Sequence, residues 1–342
     1  MKAALLYGVG DLRLVDIPTP EYGPDEVLTK VTVCAVCPTD IRKFRVGNGG
    51  VLQFPFNMGH EWVGEVVEVG KDVEDVKVGD RLLGGGYAGY AEYAPLGGVA
   101  LRPVGGKPLV IPEGVTDEEA TFVEPLADAV HSIVDQGKVK IGDTVLILGA
   151  GQLALQHVMV AKAVGATVIV SEPIAERREL AKKFGADYIV DGSNTEEVVE
   201  FVHSLTDGKG ADAAIVTIGS PEASITALAA VRSRARIVLF GGYDRGVQTT
   251  LDLNIIHYKE IEMTGSYWVG VPPYGNPDLY GVAMKLIKDK TVPVAKLITH
   301  RMELEKIHDA FDAIRTKAGL KAIIYVGTPL EGNGASAGTR QA

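Results

Sequence analysis

Cysteine is nearly absent: the chain of 342 residues holds two, Cys34 and Cys37. Two thiols exclude a disulfide framework and also a zinc site made of four thiolates. An excess of positive charge is missing too. Asp and Glu number 44 against 34 Lys and Arg, for a formal charge of −10. That argues against nucleic acid or an anionic membrane as partner, because both select basic surfaces. No stretch approaches the roughly 20 apolar residues of a membrane span. The start, Met1 to Tyr7, has one Lys and a short apolar run. It lacks the full apolar region and small-residue cleavage site of a secretory leader, so the cytoplasm is the expected compartment. No internal repeat is apparent.

Hydrophobic residues make up 46% of the chain, enough for sizeable cores, and the length suggests two domains. Up to about Pro112 the chain reads as β-rich, with short β-branched runs at Val27–Val33 and Gly64–Val69. Near Thr116 the character changes. Thr116 followed by Asp117, Glu118 and Glu119 is a helix start, and Ala120–Val134 has helical periodicity. From Asp143 strands and helices alternate: strands at Thr144–Leu148, Thr167–Ser171, Tyr188–Val190, Ala213–Ile218 and Arg236–Phe240, helices at Gln152–Val164, Ile174–Phe184, Thr195–Leu205 and Ser220–Val231. Alternation of this kind predicts a parallel sheet covered on both faces. Leu279–Ile287 and Leu304–Ile314 read as helices and Ala322–Val326 as a closing strand. The tail from Thr328 is rich in Gly, Ser and Ala, with little to anchor it.

Gly149-Ala150-Gly151-Gln152-Leu153-Ala154 follows the first strand of the alternation and opens its helix. This is G-x-G-x-x-A, the dinucleotide-binding turn of a Rossmann domain. The first Gly makes the tight turn, the second lets backbone approach a pyrophosphate, and the helix N-terminus supplies amide donors. Glu172 ends the second strand at the distance where an acid accepts from the ribose hydroxyls. Such an acid repels a 2′-phosphate and favours NAD over NADP, with Arg177 nearby as an opposing charge. The candidate cofactor contacts are Gly149, Gly151, Gln152, Leu153, Glu172, Arg177, Thr217 and Gly241.

Three other segments carry ligand-type residues: Cys37-Pro38-Thr39-Asp40, Gly59-His60-Glu61 and Glu124-Pro125. Zinc accepts thiolate, imidazole and carboxylate in one shell. On spacing alone, the plainer readings are the better ones: a buried Cys37 packing as a small hydrophobe, a hydrogen-bonded core His60 and a solvated Glu124. Cys34 and Cys37 also form C-x-x-C, but they end an apolar strand and do not open a helix of a βαβ unit, which disfavours a redox pair. His131, two turns after Glu124, reads as a packing residue. Trp62 and Trp268 are candidates for a substrate pocket.

Taken together, Cys37-x-Thr39-Asp40, Gly59-His60-Glu61, Val78-Gly79-Asp80-Arg81, Gly89-Tyr90-Ala91-Glu92-Tyr93, Glu124-Pro125-Leu126, the Gly149–Ala154 loop and Leu297–Arg301 resemble the zinc-dependent medium-chain dehydrogenase/reductase family. Glu124-Pro125-Leu126 resembles its sorbitol and threonine dehydrogenase branch. The resemblance covers Met1 to about Val326. It implies an α/β fold in which a GroES-like β-rich catalytic domain, residues 1–118 and 263–342, holds an inserted Rossmann doubly wound parallel-sheet domain, residues 119–262. It implies a catalytic zinc held by Cys37, His60 and a Glu, with Glu61 and Glu124 both candidates. Thr39 corresponds to the hydroxyl that bonds the reacting alcohol oxygen, Glu61 to a further catalytic carboxylate, and Asp40 to a carboxylate that orients the zinc-bound His. The implied reaction is NAD-dependent oxidation of a secondary alcohol to the ketone, by hydride transfer from the zinc-bound alkoxide. A polyol or sugar alcohol is the expected substrate, with a threonine-type or simple secondary-alcohol dehydrogenase as the alternative. The implied assembly is a homotetramer or dimer.

The chain departs from the family in three places. Relatives often carry a lobe with four Cys and a second zinc between the Asp80-Arg81 and Gly89–Tyr93 motifs; here a few residues without Cys join them, so one zinc per chain is expected. Arg42 stands where many relatives have a proton-relaying His, and Arg stays charged. Ser266 stands where some relatives have a substrate-facing Arg, which puts sorbitol itself in doubt.

Overall fold

A computed structural model describes residues 1–47, 53–103, 106–269, 276 and 278–327. The tail from Thr328 lies outside them. In chain order, the first segment carries β1 (Lys2–Gly8), β2 (Asp11–Asp16), β3 (Val27–Ala35), α1 (Pro38–Val46), β4 (Phe56–Asn57), β5 (Glu61–Val69), β6 (Arg81–Leu83), β7 (Tyr93–Leu96), α2 (Gly98–Leu101) and α3 (Asp117–Ala120). The middle carries α4 (Val123–Val130), a π-helical turn (His131–Gln136), β8 (Thr144–Leu148), α5 (Gln152–Val164), β9 (Thr167–Ser171), α6 (Ala175–Lys183), β10 (Tyr188–Val190), α7 (Thr195–Leu205), β11 (Ala211–Val216), α8 (Pro221–Ala230), β12 (Val231–Leu239), α9 (Leu253–Lys259), β13 (Glu262–Gly265) and α10 (Leu279–Lys288). The last segment carries β14 (Ile298–Glu303), α11 (Ile307–Arg315) and β15 (Lys321–Tyr325).

Two compact units result. Unit 1 is Met1–Arg102, Lys107–Thr121 and Ala295–Ala342; unit 2 is Pro103–Gly106 and Phe122–Val294. These bounds differ from the expected 1–118, 119–262 and 263–342. The chief difference lies at the return crossover, which falls at Ala295. The reason is that β13 adds a sixth strand to the parallel sheet beside β12, and α10 packs on α4. β13 and α10 therefore belong to unit 2.

Unit 2 is the doubly wound domain, with strand order β10-β9-β8-β11-β12-β13, every pairing parallel. Val145, Leu146, Ile147 and Leu148 are all buried, as a strand covered on both faces requires. The expected helix Ala120–Val134 is broken instead. Thr116 caps α3 with Glu119 in a reciprocal capping box, and a second helix begins at Val123. Pro125 has no N–H to bond the turn before it, so it fits the first turn of a new helix and not the middle of a long one. His131 then bonds Asp135 at 2.9 Å and Gln136 at 3.2 Å inside the π-turn, the satisfied packing role its position suggested.

Unit 1 is antiparallel for the most part. One sheet runs β2-β1-β4 and the other β14-β15-β3-β5-β6, with β7 also on β3. Its core centres on Trp62, Tyr90, Val31, Ile324 and Phe311. Helix α1 has no counterpart in the sequence reading. It is nine residues long with Pro38 in its first turn and Cys37 as its cap, so Cys37 does precede a helix. The pairing of β3 with β5 is antiparallel, however, and no βαβ redox unit exists there. Both Cys are free thiols.

Candidate metal and nucleotide sites

In unit 1 the register of one sheet gathers distant residues. Ala35 on β3 pairs with Glu61 on β5 and with Ile323 on β15. Cys37 lies just beyond the end of β3, His60 just before β5, and Lys321 opens β15. The ligand atoms of Cys37, His60 and Glu61 lie within 4.8 Å of one another.

Asp40 is the hub beneath them, fully buried. One of its oxygens, Oδ1, accepts from the Gly59 amide at 3.3 Å and faces His60 Nδ1 at 3.3 Å. The other accepts from the Cys37 amide at 3.3 Å and the Tyr90 hydroxyl at 3.2 Å. Gly59 makes this possible. It sits at φ +78°, and a side chain there would meet Cys34 Sγ at 2.8 Å and the Tyr90 ring at 3.1 Å.

The electrostatics of the cluster are mutually dependent. Burial pushes the Cys37 thiol up, with the Glu61 charge adding to it. Burial also opposes ionisation of Asp40, but His60 and the backbone amides outweigh it and hold the carboxyl below its usual range. Burial opposes the His60 imidazolium, yet Asp40 and Cys37 raise it well above the ordinary imidazole value. A cation in the cluster would favour the thiolate and neutral imidazole instead.

Glu61 is paired on one side only. Its Oε2 accepts from Lys321 Nζ, and both side chains are 0% exposed. Its Oε1 is buried with no hydrogen-bond partner. A buried acceptor left without a partner costs about 1–3 kcal/mol, more for a charged group, so the open oxygen of Glu61 is an unsatisfied position. A zinc ion takes this donor set, and the residues present fit it. The sequence reading does not single out Lys321, which precedes the expected strand Ala322–Val326. The available signal was a Lys in phase with Ile323, at the start of the Lys321–Tyr325 run.

The other expected residues of this site are not part of the Cys37, His60 and Glu61 grouping. Thr39 is exposed in the first turn of α1, and Arg42 is exposed one turn on. Trp62 is buried and donates to Gly86 O at 2.9 Å, which makes it a core residue. Glu124 belongs to unit 2, half-buried in the first turn of α4. Burial together with the charges of Glu124 and Asp128 raises the Tyr280 hydroxyl, which accepts from Trp268 at 3.1 Å.

In unit 2 the glycine loop lies between β8 and α5, with Gly151 as the helix cap. Gly149 has φ +108°, and a Cβ on it would stand 2.6 Å from Thr217 Oγ1. Thr217 donates to Leu148 O at 2.6 Å, so it closes the loop from behind. Gly241 runs against the backbone of Ile218, where a Cβ would meet it at 2.4 Å. Gln152 is buried; Leu153 and Arg177 are half-buried. Glu172 bridges the loop to the next helix: one oxygen accepts from Ala150 N at 2.8 Å, the other from Ile174 N at 3.0 Å. The sequence reading missed Arg178. It donates to the carbonyls of Glu172 and Pro173 and pairs with Asp191 at 3.0 Å, fixing the strand end that presents Glu172.

Known proteins agree with this construction. Residues 23–122 match the alcohol dehydrogenase GroES-like domain, and residues 149–289 match the zinc-binding dehydrogenase domain. A sorbitol dehydrogenase from Bombyx mori is 30% identical, with 95% of this chain and 98% of that protein covered. An L-threonine 3-dehydrogenase from Pyrococcus abyssi is 34% identical, with 92% and 94% covered. The crystal structure of 2R,3R-butanediol dehydrogenase from Bacillus subtilis superposes with a TM-score of 0.82 at 28% identity, covering 95% of this chain and 99% of that one. A GroES-like domain joined to a dinucleotide-binding domain defines a nucleotide-dependent dehydrogenase. The chain belongs to the zinc-dependent medium-chain dehydrogenase family, as an NAD-dependent oxidoreductase acting on alcohols or polyols.

Proposed function

We propose that this chain oxidises a secondary alcohol of the polyol or sugar-alcohol class, using one zinc ion per chain held by Cys37, His60 and Glu61. The observation that carries the reading is the grouping of a Glu61 carboxylate oxygen with the Cys37 thiol and the His60 imidazole, within 4.8 Å of one another, while the buried Oε1 of Glu61 has no hydrogen-bond partner. Glu124, in the first turn of α4, is the other candidate carboxylate of the expected ligand set. Bound zinc supplies a Lewis acid that brings an alcohol hydroxyl into the neutral pKa range.

The chain's own residues do the rest. Asp40 fixes the His60 ring through Nδ1, which leaves Nε2 for the metal. Thr39 Oγ1 would accept the alcohol's hydroxyl proton while releasing its own to water, since Thr39 is exposed and Arg42, which stays charged, relays none. Gly149, Gly151, Gln152 and Leu153 take the pyrophosphate at the start of α5. Glu172 accepts from the adenosine ribose, with Arg177, Thr217 and Gly241 completing the cofactor contacts. Only two cysteines occur in the whole chain, which supports one metal and no four-thiolate lobe.

The proposed assembly is a homodimer or homotetramer, and the proposed compartment the cytoplasm. Among the described residues no helix is long and apolar enough to cross a membrane. A turnover panel of polyols, threonine and short secondary alcohols, each with NAD and NADP, tests the reading. Polyols with NAD are expected to give the highest kcat/KM. Preference for threonine or short alcohols would move the chain to the alternative, and preference for NADP would remove the role given to Glu172.

A further inference from the structure

We infer that Lys321 is a positioning residue of the metal centre: it claims one oxygen of Glu61 and leaves the other as a single, one-oxygen ligand. This rests on the proposed ligand set of Cys37, His60 and Glu61.

The geometry makes the case. Glu61 has two carboxylate oxygens and two different neighbours. Lys321 Nζ donates to Oε2 from within the sheet, with both side chains 0% exposed. Oε1 has no partner, and a Glu61 carboxylate oxygen lies within 4.8 Å of the ligand atoms of Cys37 and His60. A free carboxylate beside a cation can bind through one oxygen or two. One bound by an ammonium at Oε2 presents only Oε1. The backbone enforces the division, because Lys321 opens β15, and β15 and β5 both pair with β3 at Ala35. The pair also sets charge. Thiolate and carboxylate together would neutralise a divalent cation; the ammonium offsets the carboxylate and leaves the centre one unit more positive. A more positive centre is the better Lewis acid.

A purely structural ion pair would be served equally well by an apolar pair of like volume. What distinguishes a positioning role is a change in the metal's own ligand shell when the lysine is altered. The test therefore reads the metal and not turnover. X-ray absorption of the zinc-loaded wild type is expected to show one carboxylate oxygen at about 2.0–2.2 Å alongside sulfur and nitrogen. Two carboxylate oxygens would overturn the inference while leaving the ligand set intact. In Lys321→Met, and in Lys321→Gln as the milder variant, zinc affinity measured by chelator competition is expected to fall about 10–100-fold. The visible absorption of the cobalt(II)-substituted protein is expected to shift in position and intensity. Melting of the zinc-free variants reports whether they are folded, and the wild-type spectrum decides the matter even if neither is. Variants with wild-type zinc affinity and an unchanged cobalt spectrum would show that Lys321 only fills space. A wild type that takes up no zinc, or that keeps full affinity as Glu61→Ala, would overturn the ligand set itself and the inference with it.

Discussion

The two units solve the problem of a polar site by opposite means. In unit 2 the nucleotide loop is made of backbone: Gly149 at a positive φ, a helix N-terminus, and Thr217 and Glu172 bonded to main-chain groups. In unit 1 the site is made of buried side-chain charge. Asp40, Glu61 and Lys321 are each at most 1% exposed; Asp40 is held by Cys37, Gly59, His60 and Tyr90, and Glu61 by Lys321. The first kind of site tolerates an empty state, since it buries no charged group without a partner. The second kind does not, because it leaves an oxygen of Glu61 open in the interior. It follows that altering unit 1 should cost chemistry and metal together, and altering unit 2 should cost nucleotide alone.

The largest effect is expected at Cys37→Ala or His60→Ala. Either variant should lose bound zinc and about 4 kcal/mol of transition-state stabilisation, roughly three orders of magnitude in kcat/KM. Equilibrium dialysis with NAD should meanwhile give an unchanged Kd, and a lost nucleotide affinity would break the contrast between the units. Next comes Asp40→Asn. The amide places an NH2 donor where one of the two Asp40 oxygens now accepts, from either Cys37 N or Gly59 N. Zinc affinity should fall about 10–100-fold, measured against a chelator, again without change in NAD binding.

A smaller effect belongs to unit 2. Gly149→Ala puts a Cβ 2.6 Å from Thr217 Oγ1 at a left-handed φ. The NAD Kd should rise about tenfold, the equivalent of roughly 1.4 kcal/mol of strain and lost approach, and zinc content should stay at the wild-type value. The smallest effect is on stability. His157 is buried in α5 with its pKa lowered to about 4, burial being the cause. The unfolded chain takes that proton first as pH falls, so stability is complete above about pH 6.5 and is lost on the way down toward 4. From pH 7 to 5.5 the loss from this group should be about 1 kcal/mol. Urea unfolding at both pH values should show it in the wild type and not in His157→Leu.

The same contrast explains what could be read from the sequence. The nucleotide site is local. A strand, a glycine turn, a helix and an acid follow one another within Thr144–Glu172, and the elements β8, α5 and β9 lie where the pattern puts them. The metal site is not local. Asp40 and His60 are 20 residues apart, and Glu61 and Lys321 are 260 apart. Only strand register joins them, and no periodicity encodes which residue of β15 lies near Glu61. Resemblance to a family named Cys37, His60 and Glu61, but could not rank Glu61 against Glu124 or point to Lys321. Helix α1 escaped the sequence reading for a related reason. Its nine residues show no long apolar stripe, and its start is fixed by Asp40 bonding back to the Cys37 amide. The return crossover at Ala295 was missed because nothing in the composition of 263–294 distinguishes a sixth parallel strand from the first strand of a new domain.

A metal gathered by Cys37, His60 and Glu61 is the centre of the proposed chemistry, and zinc stoichiometry tests it most directly. Elemental analysis of the purified wild type should return one zinc per chain, and of Cys37→Ala almost none. Two zinc ions per chain, or zinc retained in full by Cys37→Ala, would contradict it.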